Sequence, residues 1–194
     1  MKGREPLAYR LVYSTSKVKG FYTPLVELVR ERGAERVLDV GAGYGIAVEL
    51  ISPYVGEAFL LEIEGAMAEK AWERLGSPRV HVVVGDASSL PFRDSSFDLV
   101  YFFDSLHHIP NRMEALREGV RVLRDDGLLA VFDFDGSKLI TKLLKIAERM
   151  FGISSDFYSL DQVRDLVEGL GLEIEEAKEG SMGSYLLVAR KRGI

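Results

Sequence analysis

Cysteine is absent from the 194-residue chain. Disulfides, thiolate metal centres and a cysteine nucleophile are therefore excluded. Side-chain amides are almost missing as well: Asn111 and Gln162 are the only Asn and Gln. These residues are thermolabile, and their scarcity is a tendency of thermophilic proteins. No apolar run is long enough to span a bilayer, and residues 1–10 lack the apolar region of a signal peptide. A cytoplasmic location without a membrane span is expected. Basic charge is not in excess: 25 Lys and Arg stand against 30 Asp and Glu, a net charge of −5. Such a chain offers no overall electrostatic footprint for phosphates, so no nucleic-acid partner is expected. Repeats, low-complexity stretches and linkers are missing too. Residues 1–194 are expected to form a single domain, a length that suits one core.

What the chain does contain is an alternation of apolar runs and helical patterns. Strands are predicted at 36–40, 58–62, 80–84, 98–103 and 127–134. Each is apolar on both faces, as strands covered by helices on either side must be. Helices are predicted at 24–32, 45–52, 65–75 and 111–123. The first has Thr23 as N-cap and Pro24 at its first position. Strands alternating with helices give a parallel sheet with right-handed crossovers. The end of the chain differs. A helix at 160–170, capped by Ser159, precedes strands at 172–177 and 185–190. The glycine-rich turn between those strands, 179–183, is too short for anything but antiparallel pairing. The fold class is α/β: a doubly wound, Rossmann-like sheet of five parallel strands plus a C-terminal antiparallel hairpin, with helices on both faces.

The strongest chemical signal is Gly41-Ala42-Gly43-Tyr44-Gly45 directly after the first strand. Glycine allows positive φ and close approach of a ligand to the backbone. Loops at the carboxyl ends of parallel strands form the binding crevice of such sheets. The amides at the following helix start favour an anionic group. Glu62 ends the second strand about twenty residues later, where an acid can accept from both ribose hydroxyls. Asp86 and Ala87 end the third strand; Asp86 could accept from an adenine amino group and the Ala87 N–H could donate to a ring nitrogen.

This pattern resembles the class I S-adenosylmethionine-dependent methyltransferases over residues 24–190. Residues 37–45 match the family's first motif and 61–67 the one that follows it. Residues 85–92, 96–100, 106–109 and 121–127 are similar to the ubiquinone/menaquinone-biosynthesis-like branch, with Asp125-Asp126-Gly127 where the family has Pro-Gly-Gly. The resemblance implies S-adenosylmethionine as cofactor, S-adenosylhomocysteine as product and a small-molecule acceptor. It implies that Asp39, Gly41, Ala42 and Gly43 shape the site for the methionine end. Glu62 would hold the ribose, Ile63 would pack on the adenine, Asp86 and Ala87 would read its edge, and the Phe103 carbonyl would take the amino group. A homodimer is compatible with this reading.

In-line methyl displacement can rest on alignment and exclusion of water. A base is needed only when the acceptor must lose a proton. His107 and His108, just after the fourth strand, are the candidate catalytic pair, since histidine titrates near neutrality. Packing of one ring and solvation of the other is the alternative. Asp104 and Asp133 are further candidate bases, and Asp135 a candidate turn residue before Gly136. These carboxylates do not reproduce a divalent-metal set, so no metal is expected. Residues 1–23 form a lid-like segment in which Tyr9, Tyr13 and Phe21 either cover the cofactor or pack on the sheet edge. Residues 136–157 carry an apolar stripe flanked by lysines; they form a packed helix, a cap over the substrate or a membrane-surface helix. Two rival functions follow from the same residues. A nicotinamide-dependent oxidoreductase is disfavoured because Ile46 stands at the third glycine of its fingerprint. An S-adenosylmethionine-binding subunit without transfer activity is the other.

Overall fold

The structure, a computed structural model, describes residues 21–150, 152 and 154–193. Seven strands form one sheet: β1 (Arg36–Val40), β2 (Glu57–Glu62), β3 (Val80–Val84), β4 (Phe97–Phe103), β5 (Leu123–Phe134), β6 (Leu172–Glu179) and β7 (Ser184–Lys191). Their order is β3-β2-β1-β4-β5-β7-β6. Neighbours from β3 through β5 pair in parallel, and β7 is antiparallel to both β5 and β6. The expected five parallel strands and C-terminal hairpin are thus observed.

Alternation along the strands sends side chains to two cores. Val37, Leu99, Tyr101 and Phe103 join one apolar cluster, and Leu38, Val40, Val100 and Phe102 join the other. Helices α1 (Thr23–Arg32) and α2 (Ile46–Ile51), with Ala71 of α3 (Gly65–Leu75), cover the first face. Helices α4 (Arg112–Val122) and α6 (Leu160–Gly169) cover the second. Between β1 and β4 the strand order reverses, so the loops leaving these two strands diverge to opposite faces and open a crevice. Helix α5 (Leu139–Met150) stands between β5 and α6 in the chain.

Three local expectations are corrected. Tyr22, in a right-handed helical conformation, occupies the N-cap position of α1, and Thr23 is already the first helical residue. Helix α2 is shorter than 45–52 because Gly45 sits at φ 75°, outside the helix, and Pro53 diverts the chain into a 3₁₀ turn. Strand β5 begins at Leu123 instead of Gly127. Leu123 pairs with Phe97, the register shifts, and pairing resumes at Leu128 opposite Leu99. The interruption holds Asp126 at φ 63°, and it is the polar run 124–126 that hides the strand's start in the sequence.

The α6 start follows the expected chemistry. The Ser159 hydroxyl accepts from the Gln162 amide at 3.2 Å, and the Gln162 side chain accepts from the Ser159 amide at 2.9 Å. This is a reciprocal capping box. Replacing Ser159 by Ala should destabilise the protein by about 1 kcal/mol. A thermal melt should show this as a midpoint lower by about 2–4 °C.

Candidate functional site

The glycine loop after β1 is pinned to β2. The Gly41 and Ala42 amides both donate to the Leu61 carbonyl, at 2.9 and 3.1 Å. Gly41 has φ 77°, and a Cβ there would lie 2.8 Å from the Ser105 Cβ. Both the conformation and the space require glycine. Ser105 itself is buried and donates its hydroxyl to the Val40 carbonyl at 2.6 Å, so the loop after β4 is tied to the end of β1. Gly45, at φ 75°, meets the Leu60 and Leu75 side chains.

Glu62 closes the arrangement from the side. Its Oε2 accepts from the Gly43 amide at 2.7 Å and its Oε1 from the Glu64 amide at 3.0 Å. The carboxylate is buried, and each oxygen retains a lone pair for a further donor. Asp86 lies at the rim. Its Oδ1 accepts from the amide and the hydroxyl of Ser88, both at 2.8 Å. Those two bonds hold its carboxyl below the ordinary aspartate value. The loop that carries Asp86 is fastened to α4: Glu118 accepts from the Leu90 amide at 2.8 Å, and Arg121 donates to the Phe92 and Leu90 carbonyls.

Asp39 is buried at the floor with the Tyr101 hydroxyl facing its carboxyl, though no short hydrogen bond joins them. Burial raises the Asp39 carboxyl to about 8; Tyr101 offsets part of the rise and the Glu62 charge adds to it.

Asp39, Gly41, Ala42, Gly43, Glu62, Ile63, Asp86, Ala87 and Phe103 all line one cavity of about 650 Å³. That is within the roughly 300–1,000 Å³ of small-molecule sites. Every residue singled out in the sequence for the cofactor is therefore in one place. An acid on each of β1, β2 and the loop after β3 faces this volume, which suits a cationic ligand carrying polar groups. Asp104, Ser105 and His108 complete the wall beside Phe103. Phe103 stacks on Tyr22 at 4.4 Å, and Phe21 stands edge-on to it at 5.0 Å. Tyr9, Tyr13 and the rest of 1–20 lie outside the described residues.

The two histidines have different surroundings. His107 is buried behind the cavity wall. Its Nδ1 is 2.7 Å from Asp133 Oδ1 at the end of β5, and its ring stacks on Phe157 at 4.2 Å. Burial works against its protonation, but the hydrogen bond and charge of Asp133, with Asp104 and Glu148 behind them, prevail and raise its pKa. His108 lines the cavity. Burial and the neighbouring His107 charge lower its pKa. Its Nδ1 lies 3.3 Å from the Ser154 carbonyl. A carbonyl can only accept, so the proton sits on Nδ1 and Nε2 keeps its lone pair. Burial raises Asp104 to about 7, the His107 charge opposing and the Asp133 charge adding. Its backbone is held at φ 53°. Asp135 takes the turn role: it accepts from the Ser137 amide and hydroxyl at 2.8 and 2.5 Å and from the Leu160 amide at 3.2 Å.

Two overlapping sets, His107–His108–Glu148 and Asp104–His107–Asp133, have ligand-type atoms within 4.8 Å of one another. The sequence reading missed several supporting groups: Ser105, Ser88, Tyr101, Glu118 and Ser154. Only Ser88, two residues after Asp86, had a local turn signal to find it by.

Residues 38–131 match the family model for a methyltransferase domain. The chain is 33 % identical over 158 residues to the 27-O-demethylrifamycin SV methyltransferase of Amycolatopsis mediterranei, covering 77 % of this chain and 58 % of that protein. It is 33 % identical over 127 residues to a ubiquinone/menaquinone biosynthesis C-methyltransferase of Ectopseudomonas mendocina, covering 61 % of this chain and 50 % of that one. The chain thus spans a little over half the length of the first and half that of the second. A crystal structure of an S-adenosylmethionine-dependent methyltransferase from Aquifex aeolicus has the same fold, with a TM-score of 0.74 at 20 % identity over 97 % of this chain and 99 % of that one. The glycine loop and the acid of β2 both lie within the matched stretch, so residues 38–131 carry a methyltransferase domain, and the chain is similar to S-adenosylmethionine-dependent methyltransferases.

Proposed function

We propose that this chain transfers a methyl group from S-adenosylmethionine to a small-molecule acceptor in the cytoplasm. The observation that carries the proposal is the single cavity in which all the sequence-predicted cofactor residues meet. When bound, S-adenosylmethionine supplies a methyl carbon activated by a sulfonium and leaves as S-adenosylhomocysteine. Glu62, with a lone pair free on each oxygen, holds the ribose hydroxyls. The exposed side chain of Ile63 packs on the adenine, and Asp86 and the Ala87 amide meet its edge. The Phe103 carbonyl and Asp39 receive the methionine ammonium. Alignment of this kind can supply on the order of 7–11 kcal/mol towards an in-line displacement.

His108 is the base for acceptors that must lose a proton, because its ring lines the cavity and its Nε2 is not used by the Ser154 carbonyl. His107 and Asp133 are positioning residues behind it. We assign the His–carboxylate groups to proton handling and not to a metal, since His107 and Asp133 already engage each other. Segment 136–157 borders the acceptor side: the Ser154 carbonyl holds His108 and Phe157 stacks on His107.

Calorimetric titration with S-adenosylhomocysteine should show binding, and NADH should show none. The reverse result would refute the assignment. A screen with methyl-labelled cofactor should then find an acceptor; retained binding without transfer to any acceptor would favour a binding subunit instead. With an acceptor in hand, excess chelator should leave the rate unchanged.

His108→Gln should lower kcat by about 10²–10⁴ for a protonated acceptor, with S-adenosylhomocysteine affinity unaltered. Asp133→Asn removes the partner that keeps His107 charged. The positive neighbour that depresses His108 then disappears, so the acidic limb of the pH–rate profile should move to higher pH.

Asp39 makes a separate prediction. A cationic ligand favours its ionised form, and the free protein ionises it only around pH 8. Affinity for S-adenosylmethionine should rise by up to about tenfold per pH unit below that value and level off above it. Binding near pH 7 should release a proton, seen calorimetrically by changing the buffer. In Asp39→Asn both effects should vanish.

A further inference from the structure

Helix α5 is amphipathic in the direction opposite to the rest of the molecule. Its inward face carries Thr141, which is buried, and half-buried Leu144 and Glu148. Its outward face carries Leu139, Ile140, Leu143, Ile146 and Met150. These five side chains, with Met182 of the β6–β7 turn, are between 43 % and 81 % exposed. The β6–β7 turn that carries Met182 abuts this row, since a Cβ on Gly183 would lie 2.9 Å from Ile140. Isolated exposed apolar residues are ordinary, but a contiguous row on one helix marks an interaction surface.

Charge decides what the surface fits. The chain is acidic overall, yet residues 138–150 hold four cations and one carboxylate. Lys138 pairs with Glu179 and Lys145 with Asp156. Lys142 and Arg149 have no ion pair among the described residues, and they flank the apolar row on one side at seven-residue spacing. Leu139, Leu143, Ile146 and Met150 follow the 4-3-4 spacing of a helix–helix seam. A second copy packed antiparallel on that seam would set Lys142 and Arg149 against their own counterparts. Packed parallel, it would meet them with Ile140 and Ala147. Neither arrangement supplies an anion. A bilayer with anionic lipids supplies both an apolar boundary for the row and negative headgroups for its flanks.

We propose that α5 and the β6–β7 turn form a docking surface for an anionic membrane, with α5 lying in the interface plane. The helix does not cross the bilayer; no helix among the described residues is long and apolar enough to do so. On its inner side Glu148 stands beside His107 and His108, so docking brings the histidine end of the cavity next to the lipid surface.

Co-sedimentation of the full chain with vesicles tests this. One set is phosphatidylcholine alone, the other an equal mixture with phosphatidylglycerol. Binding to the mixed vesicles, weak binding to the neutral ones and loss of binding at high salt are expected. Leu143→Ser with Ile146→Ser, and separately Lys142→Glu with Arg149→Glu, should each reduce partitioning by more than about tenfold. Both variants should keep S-adenosylhomocysteine affinity, which shows that they fold and separates this result from any failure of the methyl-transfer reading. Absence of binding to both vesicle types overturns the proposal. So does a dimer in solution that the serine variant converts to monomer, because the occupant is then a second copy. Equal binding by the glutamate variant also overturns it.

Discussion

The hydrogen bond from the Gly43 amide to Glu62 fixes the relation between two strand ends on which the cavity depends. A glycine loop with positive φ at three positions has many conformations open to it in isolation. Here the Leu61 carbonyl takes two of its amides and the Glu62 carboxylate takes a third. The loop is thereby frozen against β2, and Ser105 locks it against β4. Because Glu62 is buried, these bonds are made away from bulk water, where a charged acceptor binds amides strongly. The free lone pairs then point from a rigid base, which is the condition for holding a ligand without spending binding energy on ordering the loop.

A second constraint acts at the ends of β4 and β5. Buried charges are costly unless they are paired and hydrogen-bonded. Asp133 meets this condition by accepting from the His107 amide, the His107 ring and its own neighbour's amide. The charge kept on His107 has two consequences of opposite sign. It lowers His108, and it restrains the rise of Asp104. Two groups that line the cavity are thus both shifted downward by the charge of a third that does not line it. Neighbouring environments that push titratable groups apart are how one fold separates acid and base roles.

Much of this was legible in the sequence, for identifiable reasons. β1, β2 and β4 are largely apolar runs buried along most of their length, and the half-buried edge strand β3 is mostly valine, so β1 to β4 could be read almost to the residue. Glycine spacing and an acid at a strand end are local chemistry, so the first two walls of the cavity could be read as well. The pairing of His107 with Asp133 could not: the residues are 26 apart and meet only because β4 and β5 are neighbours in the sheet. Ser105 and Glu118 were hidden for the same reason, since their partners are 65 and 28 residues away. The beginning of β5 was hidden by Arg124, Asp125 and Asp126, whose polarity imitates a loop while the strand pairs on both sides of them.

Helix α5 shows what periodicity leaves open. A 3.6-residue repeat of apolar residues establishes that a helix has two unlike faces. It does not establish which face turns inward. That choice belongs to the neighbours, and here, beside Glu148, they are His107 and His108. An apolar side chain facing them adds nothing to their charge balance. A carboxylate such as Glu148 instead joins their charge balance, raising His107. The polar site claims the polar face of the helix, and the apolar face is left outside as a consequence. The side of the helix that meets the buried histidines and the side left apolar at the exterior are thus opposite faces of one element, set by a single placement.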